Sequence, residues 1–228
     1  MHASARLRVW RSLAKRHPSA FLLAAQLLSL LLYPLMHDTV EGRLLFGAVA
    51  LVVVPLAVWV VNRSQFVSVI GWLLAIPAMV LTVAGVLGDN HGLLTWAALL
   101  EACLYFYAAG SLISYMLHDH DVSGDELFAA GATFTLLAWG FAYAYFVCQA
   151  WYPGSFTGAV EPDQPRRWME LLFLSFTTLS GVGIGDILPL SAPARVLVML
   201  EMLTGVGYLA AVVSRLISLT VMQRKERG

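Results

Sequence analysis

Three glycines in the segment TTLSGVGIGD are spaced in a way that can create a binding site for a cation. Gly181, Gly183 and Gly185 are separated by one apolar residue each, and an aspartate follows the last of them. Glycine adopts positive φ angles at little cost, so this alternation lets successive carbonyl oxygens turn to the same side. A ring of carbonyl oxygens can replace the water ligands of a cation. The chemistry predicted for this segment is cation coordination by the backbone.

The composition indicates that these glycines belong to a membrane protein. The chain has 228 residues, of which 59% are hydrophobic and 12% are charged. An average soluble domain has about 25% charged residues. The chain therefore lacks the polar surface of a soluble protein, and we expect a polytopic membrane protein.

Six apolar segments are candidates for membrane-spanning helices, because a helix needs about 20 apolar residues to cross a bilayer. They cover residues 20–36, 43–61, 66–87, 92–117, 126–149 and 192–220. With this arrangement, ten of the fourteen Lys and Arg residues lie on the side of the N-terminus. Basic residues concentrate on the cytoplasmic side, so both termini are predicted to be cytoplasmic, in a bacterial inner membrane. Residues 1–18, which are rich in basic side chains, are predicted to form an amphipathic segment that lies on anionic lipids. Alternatively, they act only as a signal that sets the orientation of the chain in the membrane.

The long link between the fifth and sixth segments contains the glycines. Its part RRWMELLFLSFTTL is apolar but about fourteen residues long, too short to span and typical of a re-entrant helix. Non-helical backbone at membrane depth is tolerated where it lines a cavity or is buried in protein. The order is therefore span, re-entrant helix, glycine-rich segment and span.

This order and the glycine motif resemble the pore of the potassium-channel superfamily, in which a helix precedes Thr-x-Thr-Thr-Val-Gly-Tyr-Gly-Asp and a second helix follows. The matching residues here are Thr178-Leu179-Ser180-Gly181-Val182-Gly183-Ile184-Gly185-Asp186. The resemblance covers about residues 126–220. It implies a homotetramer that conducts potassium without another cofactor, a pore helix containing Thr177 and Thr178, and a hinge at Gly205 in the inner helix. It also implies a selectivity filter formed by Ser180 to Asp186, with the carbonyls of Gly181, Val182, Gly183 and Ile184 as metal ligands.

Two departures from the family pattern matter, and the residue before the motif differs as well. Gly181 replaces a threonine that would form the innermost ion site, and Ile184 replaces the usual tyrosine. Thr177 lies where some relatives have a glutamate that bonds the aspartate, so Asp186 is expected to be held differently. A weakly selective or non-selective monovalent cation channel is therefore the alternative to a potassium channel. Helix packing through small residues is a second alternative for the glycines, but their spacing of two fits a helix face poorly.

The fourth apolar segment differs from a voltage sensor. Residues 92–117 contain no arginine or lysine and carry Glu101 instead. Steep voltage sensing needs several charges, because one charge gains about 2.3 kcal/mol per 100 mV. We therefore expect little voltage gating. Glu101 and Glu201 are sensor candidates or ordinary buried acids, and Thr204 or the pore helix are the expected partners of Glu201.

The connector HDHDVSGDE leaves two interpretations open. His118 and His120, with the aspartates between and after them, could bind a divalent metal or sense pH, or could belong to a solvated linker. Ser123 and Glu126 form a capping-box pattern that favours a helix start, and Asp125 suits its first turn.

These observations predict an all-α membrane protein with six transmembrane helices, a re-entrant pore helix and a filter loop. An intramembrane serine protease, suggested by Ser180, would need an activating histidine, and no histidine follows His120 or lies in a span. A transporter with internal repeats would show two related halves, whereas the chain contains one filter-like segment. We therefore expect neither an enzyme nor a transporter, and no nucleic-acid partner. The predicted parts are 1–18, the peripheral domain 19–117, an intracellular linker 118–125 and the pore domain 126–228.

Overall fold

The computed structural model of the protein describes residues 18–36, 65–118 and 124–227, and they are mostly helical. Six α-helices and two short strands follow one another in these ranges. They are α1 (Pro18–Met36), α2 (Gln65–Leu87), α3 (His91–His118), α4 (Gly124–Trp151), β1 (Phe156–Gly158), α5 (Trp168–Leu179), β2 (Ile187–Pro189) and α6 (Ala192–Arg227).

Four of these helices are long and apolar enough to cross a membrane. The qualifying stretches are Val69–Leu87, His91–Leu117, Asp125–Trp151 and Ala192–Arg215. They coincide with the third to sixth predicted spans. The helix α1 forms where the first span was predicted. The second predicted span, 43–61, and residues 1–17 lie outside the described ranges.

The helix α4 is the centre of the packing. Of its most apolar stretch 67% is buried, against 22% for α6. Aromatic rings connect α4 to its neighbours on both sides: Trp139 packs edge-on against Tyr105 of α3 and Trp168 of α5, with ring centroids 5.6 and 5.7 Å apart. Such pairs add to the burial of their large apolar surfaces. The rings of Tyr105, Trp139 and Trp168 therefore hold the short helix α5 against the α3–α4 pair.

Two polar contacts hold the first turn of α4. The backbone N–H and the hydroxyl of Ser19 donate to the Asp125 carboxylate at 3.2 and 3.0 Å, so this acid caps the start of α1. Arg215 of α6 donates to Glu126 at 3.0 Å. The capping-box partner Ser123 lies outside the described residues. The helix α3 extends to His118 and α4 begins at Gly124, and the predicted linker between them lies mostly outside the described residues.

The all-α prediction missed a small antiparallel ribbon. The strands β1 and β2 pair Phe156 with Pro189 and Gly158 with Ile187. The pairing brings the loop after α4 alongside the segment that follows the glycines. The ribbon therefore connects the end of the glycine segment to the loop that follows α4.

Candidate functional site

The short helix α5 leads directly into the glycine segment. At its N-terminus the Arg167 backbone N–H donates to Glu170 at 2.6 Å, and an acid in the first turn suits the helix dipole. The helix ends at Leu179, the last residue of the apolar part RRWMELLFLSFTTL. Thr177 and Thr178 lie buried in its last turn.

The backbone of the glycine segment alternates as the spacing predicts. Gly181, Gly183 and Gly185 have φ angles of 75°, 58° and 78°, whereas Val182 and Ile184 between them have no positive φ. An L-residue with a side chain rarely adopts such angles, so glycine is required at these three positions. The segment is therefore neither helix nor strand, and its repeat is two residues.

Two hydrogen bonds attach this segment to the end of α5. The N–H of Gly181 donates to the carbonyl of Thr178 at 3.0 Å, and the N–H of Gly183 donates to that of Thr177 at 2.9 Å. Because the acceptors belong to the last helical turn, the orientation of α5 sets the position of the glycine backbone.

Asp186 closes the segment in a setting that differs from the family pattern. Its carbonyl accepts the N–H of Ala159 at 3.0 Å, but its buried Oδ1 has no hydrogen-bond partner among the described residues. The hydroxyl of Thr177 donates to Leu174 in its own helix at 2.9 Å. Thr177 therefore does not replace the glutamate that bonds the aspartate in some relatives.

The loop between α4 and α5 is held by Arg166, which is 4% exposed. Its guanidinium donates to the carbonyls of Val160, Glu161 and Gln164. Its backbone exchanges two hydrogen bonds with the amide of Gln149, at 3.0 and 2.7 Å. The loop between α4 and α5 is thus fixed by one buried side chain, which fixes the start of α5 in turn.

One face of α6 packs against α4 and α5. Glu201, Gly205 and Tyr208 recur at the spacing of a helix face, and all three are buried. A Cβ added to Gly205 would lie 2.1 Å from the carbonyl oxygen of Leu179, so only glycine allows this approach. The hydroxyl of Tyr208 donates to the carbonyl of Ala130 at 2.6 Å. The position predicted as a hinge is therefore a close contact with the end of α5, and its role as a hinge stays a prediction.

Glu201 joins three helices. Its side chain is fully buried. It accepts a hydrogen bond from the hydroxyl of Tyr145 in α4, and its other oxygen contacts the hydroxyl of Ser175 in α5. Of the two partners expected for Glu201, the contact is with α5, the helix predicted as the pore helix. Thr204 donates to Leu200 in its own helix instead, at 2.8 Å.

Glu101 occupies a separate polar cluster in α3. Its carboxyl group accepts a hydrogen bond from Thr82 of α2 at 3.2 Å and bonds the hydroxyl of Tyr143 in α4. It is 6% exposed. The acid therefore connects the peripheral helices to α4, which agrees with the interpretation as a structural acid and leaves a sensor role untested.

The metal interpretation of the connector receives no structural support or contradiction. His120 and the side chain of His118 lie outside what the structure describes. Within the described part of the chain, no three His, Cys, Asp or Glu side chains lie close enough together to hold a metal ion.

The sequence indicated the buried acid Glu201 but not the residues that bond it. Tyr145 and Ser175 were not singled out, because each is an ordinary residue in an apolar run. The sequence signals these partners only weakly, as single polar residues within apolar helices that could face a buried acid. The pairing of Arg215 with Glu126 had no local signal at all, since the two residues are 89 positions apart.

Comparison with known proteins gives one match. The model of a family described as "Ion channel" matches residues 131–222, which include most of α4, all of α5, the glycine segment and most of α6. No curated protein and no solved structure matches the chain. The match covers most of the region, residues 126–220, in which the sequence resemblance was found. The match over residues 131–222 indicates an ion channel and not an enzyme, and the four long apolar helices indicate an integral membrane protein.

Proposed function

We propose that the protein is a potassium channel whose filter is formed by residues 180–186 of four identical chains. The observation that carries the proposal is the alternation of positive φ angles at Gly181, Gly183 and Gly185 directly after a short buried helix. An alternating backbone of this kind directs successive carbonyls to one side. The C-terminal end of α5 adds a partial negative charge that favours a cation.

The side chains between the glycines support a tetramer. Val182 and Ile184 are 68% and 59% exposed in a single chain, although both are apolar. The apolar residues Met199, Leu203 and Val206 of α6 are exposed as well. Neighbouring chains around a four-fold axis would cover such surfaces while the glycine carbonyls face the axis. Four chains supply the ring of oxygens that one chain cannot.

The membrane arrangement follows from the same scaffold. We propose six spans, with α5 re-entering from the outer side and both termini in the cytoplasm of a bacterial cell. Basic residues near the N-terminus would meet anionic lipids of the inner leaflet. The helix α3 contains no Lys or Arg, so it carries no positive charge that a membrane voltage could move.

A weakly selective cation channel is the second candidate, and Gly181 is the observation that favours it. The position has a φ of 75° and no atom within 4 Å of an added Cβ. The threonine hydroxyl of the family pattern is absent there, so the innermost ion site loses one kind of ligand. Fewer or softer ligands reduce the discrimination between cations.

Uptake of radioactive rubidium into liposomes tests channel function directly. Purified protein is reconstituted in potassium-loaded liposomes, and uptake is followed with Gly183→Ala as the matched variant. The alanine has space for its methyl group but must adopt a φ of 58°, which costs about 1–2 kcal/mol per chain. Uptake by the wild type that falls at least about tenfold in the variant supports the proposal. Equal uptake by both proteins contradicts a filter at this segment.

A further inference from the structure

We infer that Glu201 is a positioning residue for ion selection, which as a neutral carboxylic acid holds α5 and, through α5, the glycine backbone. The inference deepens the proposed function and rests on it where selectivity is the readout. It assigns a role to a buried acid that does not itself face the filter.

The hydrogen-bond partners of Glu201 indicate its neutral form. The hydroxyl of Ser175 lies 2.8 Å from the carbonyl oxygen of Ala138 and also contacts Glu201. A carbonyl oxygen only accepts, and a serine hydroxyl has one proton to donate. When Ser175 donates to Ala138, its contact with Glu201 requires a proton on the acid. Tyr145 then donates to the second oxygen, and every proton in the cluster is used once.

Within the described part of the chain, no recorded ion pair gives Glu201 a cation that would stabilise a carboxylate. The ion pairs recorded between described residues, Arg166 with Glu170 and Arg215 with Glu126, do not include it. Its side chain is fully buried among α4, α5 and α6. A buried charge without a partner is costly, whereas a neutral acid with a donor and an acceptor is satisfied.

The helix turn that contains Ser175 is bonded directly to the proposed filter. Two residues after Ser175, the carbonyl of Thr177 accepts the N–H of Gly183 at 2.9 Å. One turn after Glu201, the close approach of Gly205 fixes the carbonyl of Leu179. The inner helix α6 thus holds α5 at its middle and at its end. A rotation or shift of α5 would displace the acceptor to which the filter is attached.

Two substitutions of Glu201 separate its shape and hydrogen bonds from its charge. In Glu201→Gln the amide group donates to Ser175 and the amide oxygen accepts from Tyr145, so the potassium-to-sodium permeability ratio is expected to remain as in the wild type. Glu201→Leu removes both bonds, and the ratio is expected to fall about tenfold in a channel that still assembles. Glu101→Gln and Glu101→Leu are matched controls at a buried acid bonded to Thr82 and Tyr143, and both are expected to leave the ratio unchanged.

A milder variant and a second readout keep the test decisive. Ser175→Ala removes the same link with a small volume change, and it is expected to lower the ratio in the same direction. The double variant with Glu201→Leu should be no worse than the single ones, because the two side chains act as one unit. Hydrogen exchange at the Gly183 amide should speed up in Ser175→Ala and Glu201→Leu but not in Glu201→Gln. This readout does not depend on which cation the channel prefers.

The outcomes distinguish the two proposals. A non-selective wild type contradicts the proposed potassium channel, while the exchange rate at Gly183 still decides the role of Glu201. An unchanged ratio and unchanged Gly183 exchange in Ser175→Ala and Glu201→Leu overturn the positioning role. An effect of Glu201→Gln as large as that of Glu201→Leu overturns the neutral acid.

Discussion

Replacement of Gly205 by alanine should separate the inner helix from the end of α5. The added Cβ would lie 2.1, 2.8 and 3.0 Å from the carbonyl oxygen, carbonyl carbon and Cα of Leu179. Ordinary contacts between such atoms are about 3.5 Å, so the two backbones must move apart by more than about 1 Å. Because backbone atoms cannot rotate away as a side chain can, we expect a cost of about 3 kcal/mol per chain, the upper end for overpacking.

The chain offers two matched controls for this prediction. Gly207 in the same helix and Gly110 in α3 have no atom within 4 Å of an added Cβ. Alanine at all three sites gains the same helix propensity, about 1 kcal/mol relative to glycine, so the comparison isolates the clash. The difference in stability is measured as a melting midpoint. The purified protein is heated in detergent, and the fraction that remains folded is determined by size-exclusion chromatography.

The expected result is a melting midpoint for Gly205→Ala at least about 6 °C below both controls, given about 2–4 °C per kcal/mol for a chain of this size. Rubidium uptake should fall with it, since Leu179 is the last residue before the filter segment. A Gly205→Ala protein as stable as the controls would refute the close-packing argument. Unchanged stability with altered opening would instead support the hinge that the family resemblance implies.

Three other predictions address separate parts of the molecule. Gly181→Thr should fail to increase potassium selectivity, because a β-branched residue is strained at a φ of 75°; a higher permeability ratio in bilayer recordings would contradict the backbone described here. Glu126→Gln removes the ion pair between the buried Glu126 and Arg215 and should destabilise the protein by about 1.5–3 kcal/mol, the usual range for a hydrogen bond to a charged group, measured by the same thermal assay, with the exposed Glu161→Gln as the control. Channel opening should change less than about tenfold between −100 and +100 mV if α3 carries no sensing charge, and a steep conductance–voltage curve would show that another segment senses voltage.

The features that depend on local sequence were predicted well. The end of α5 and the positive φ angles at Gly181, Gly183 and Gly185 follow from a short apolar run and from the conformational freedom of glycine. The four long apolar helices follow from hydropathy alone. Each of these features is determined by residues close together in the chain.

The features that depend on packing could not be predicted from one sequence. Ser19 meets Asp125 across 106 positions, and Tyr145 meets Glu201 across 56. Which polar side chains meet depends on the rotation of each helix about its axis, and long apolar helices show little periodicity from which to read it. For the same reason the sequence indicated that Glu201 is unusual but did not identify Tyr145 as its partner.

The reversal potential of the wild-type channel, with potassium on one side of a planar bilayer and sodium on the other, tests the central claim most directly. We expect a reversal potential close to that of potassium, because the carbonyls of residues 181–184 would supply the ligands without a threonine hydroxyl. A reversal potential near zero would contradict potassium selectivity and would identify a general monovalent cation channel on the same scaffold.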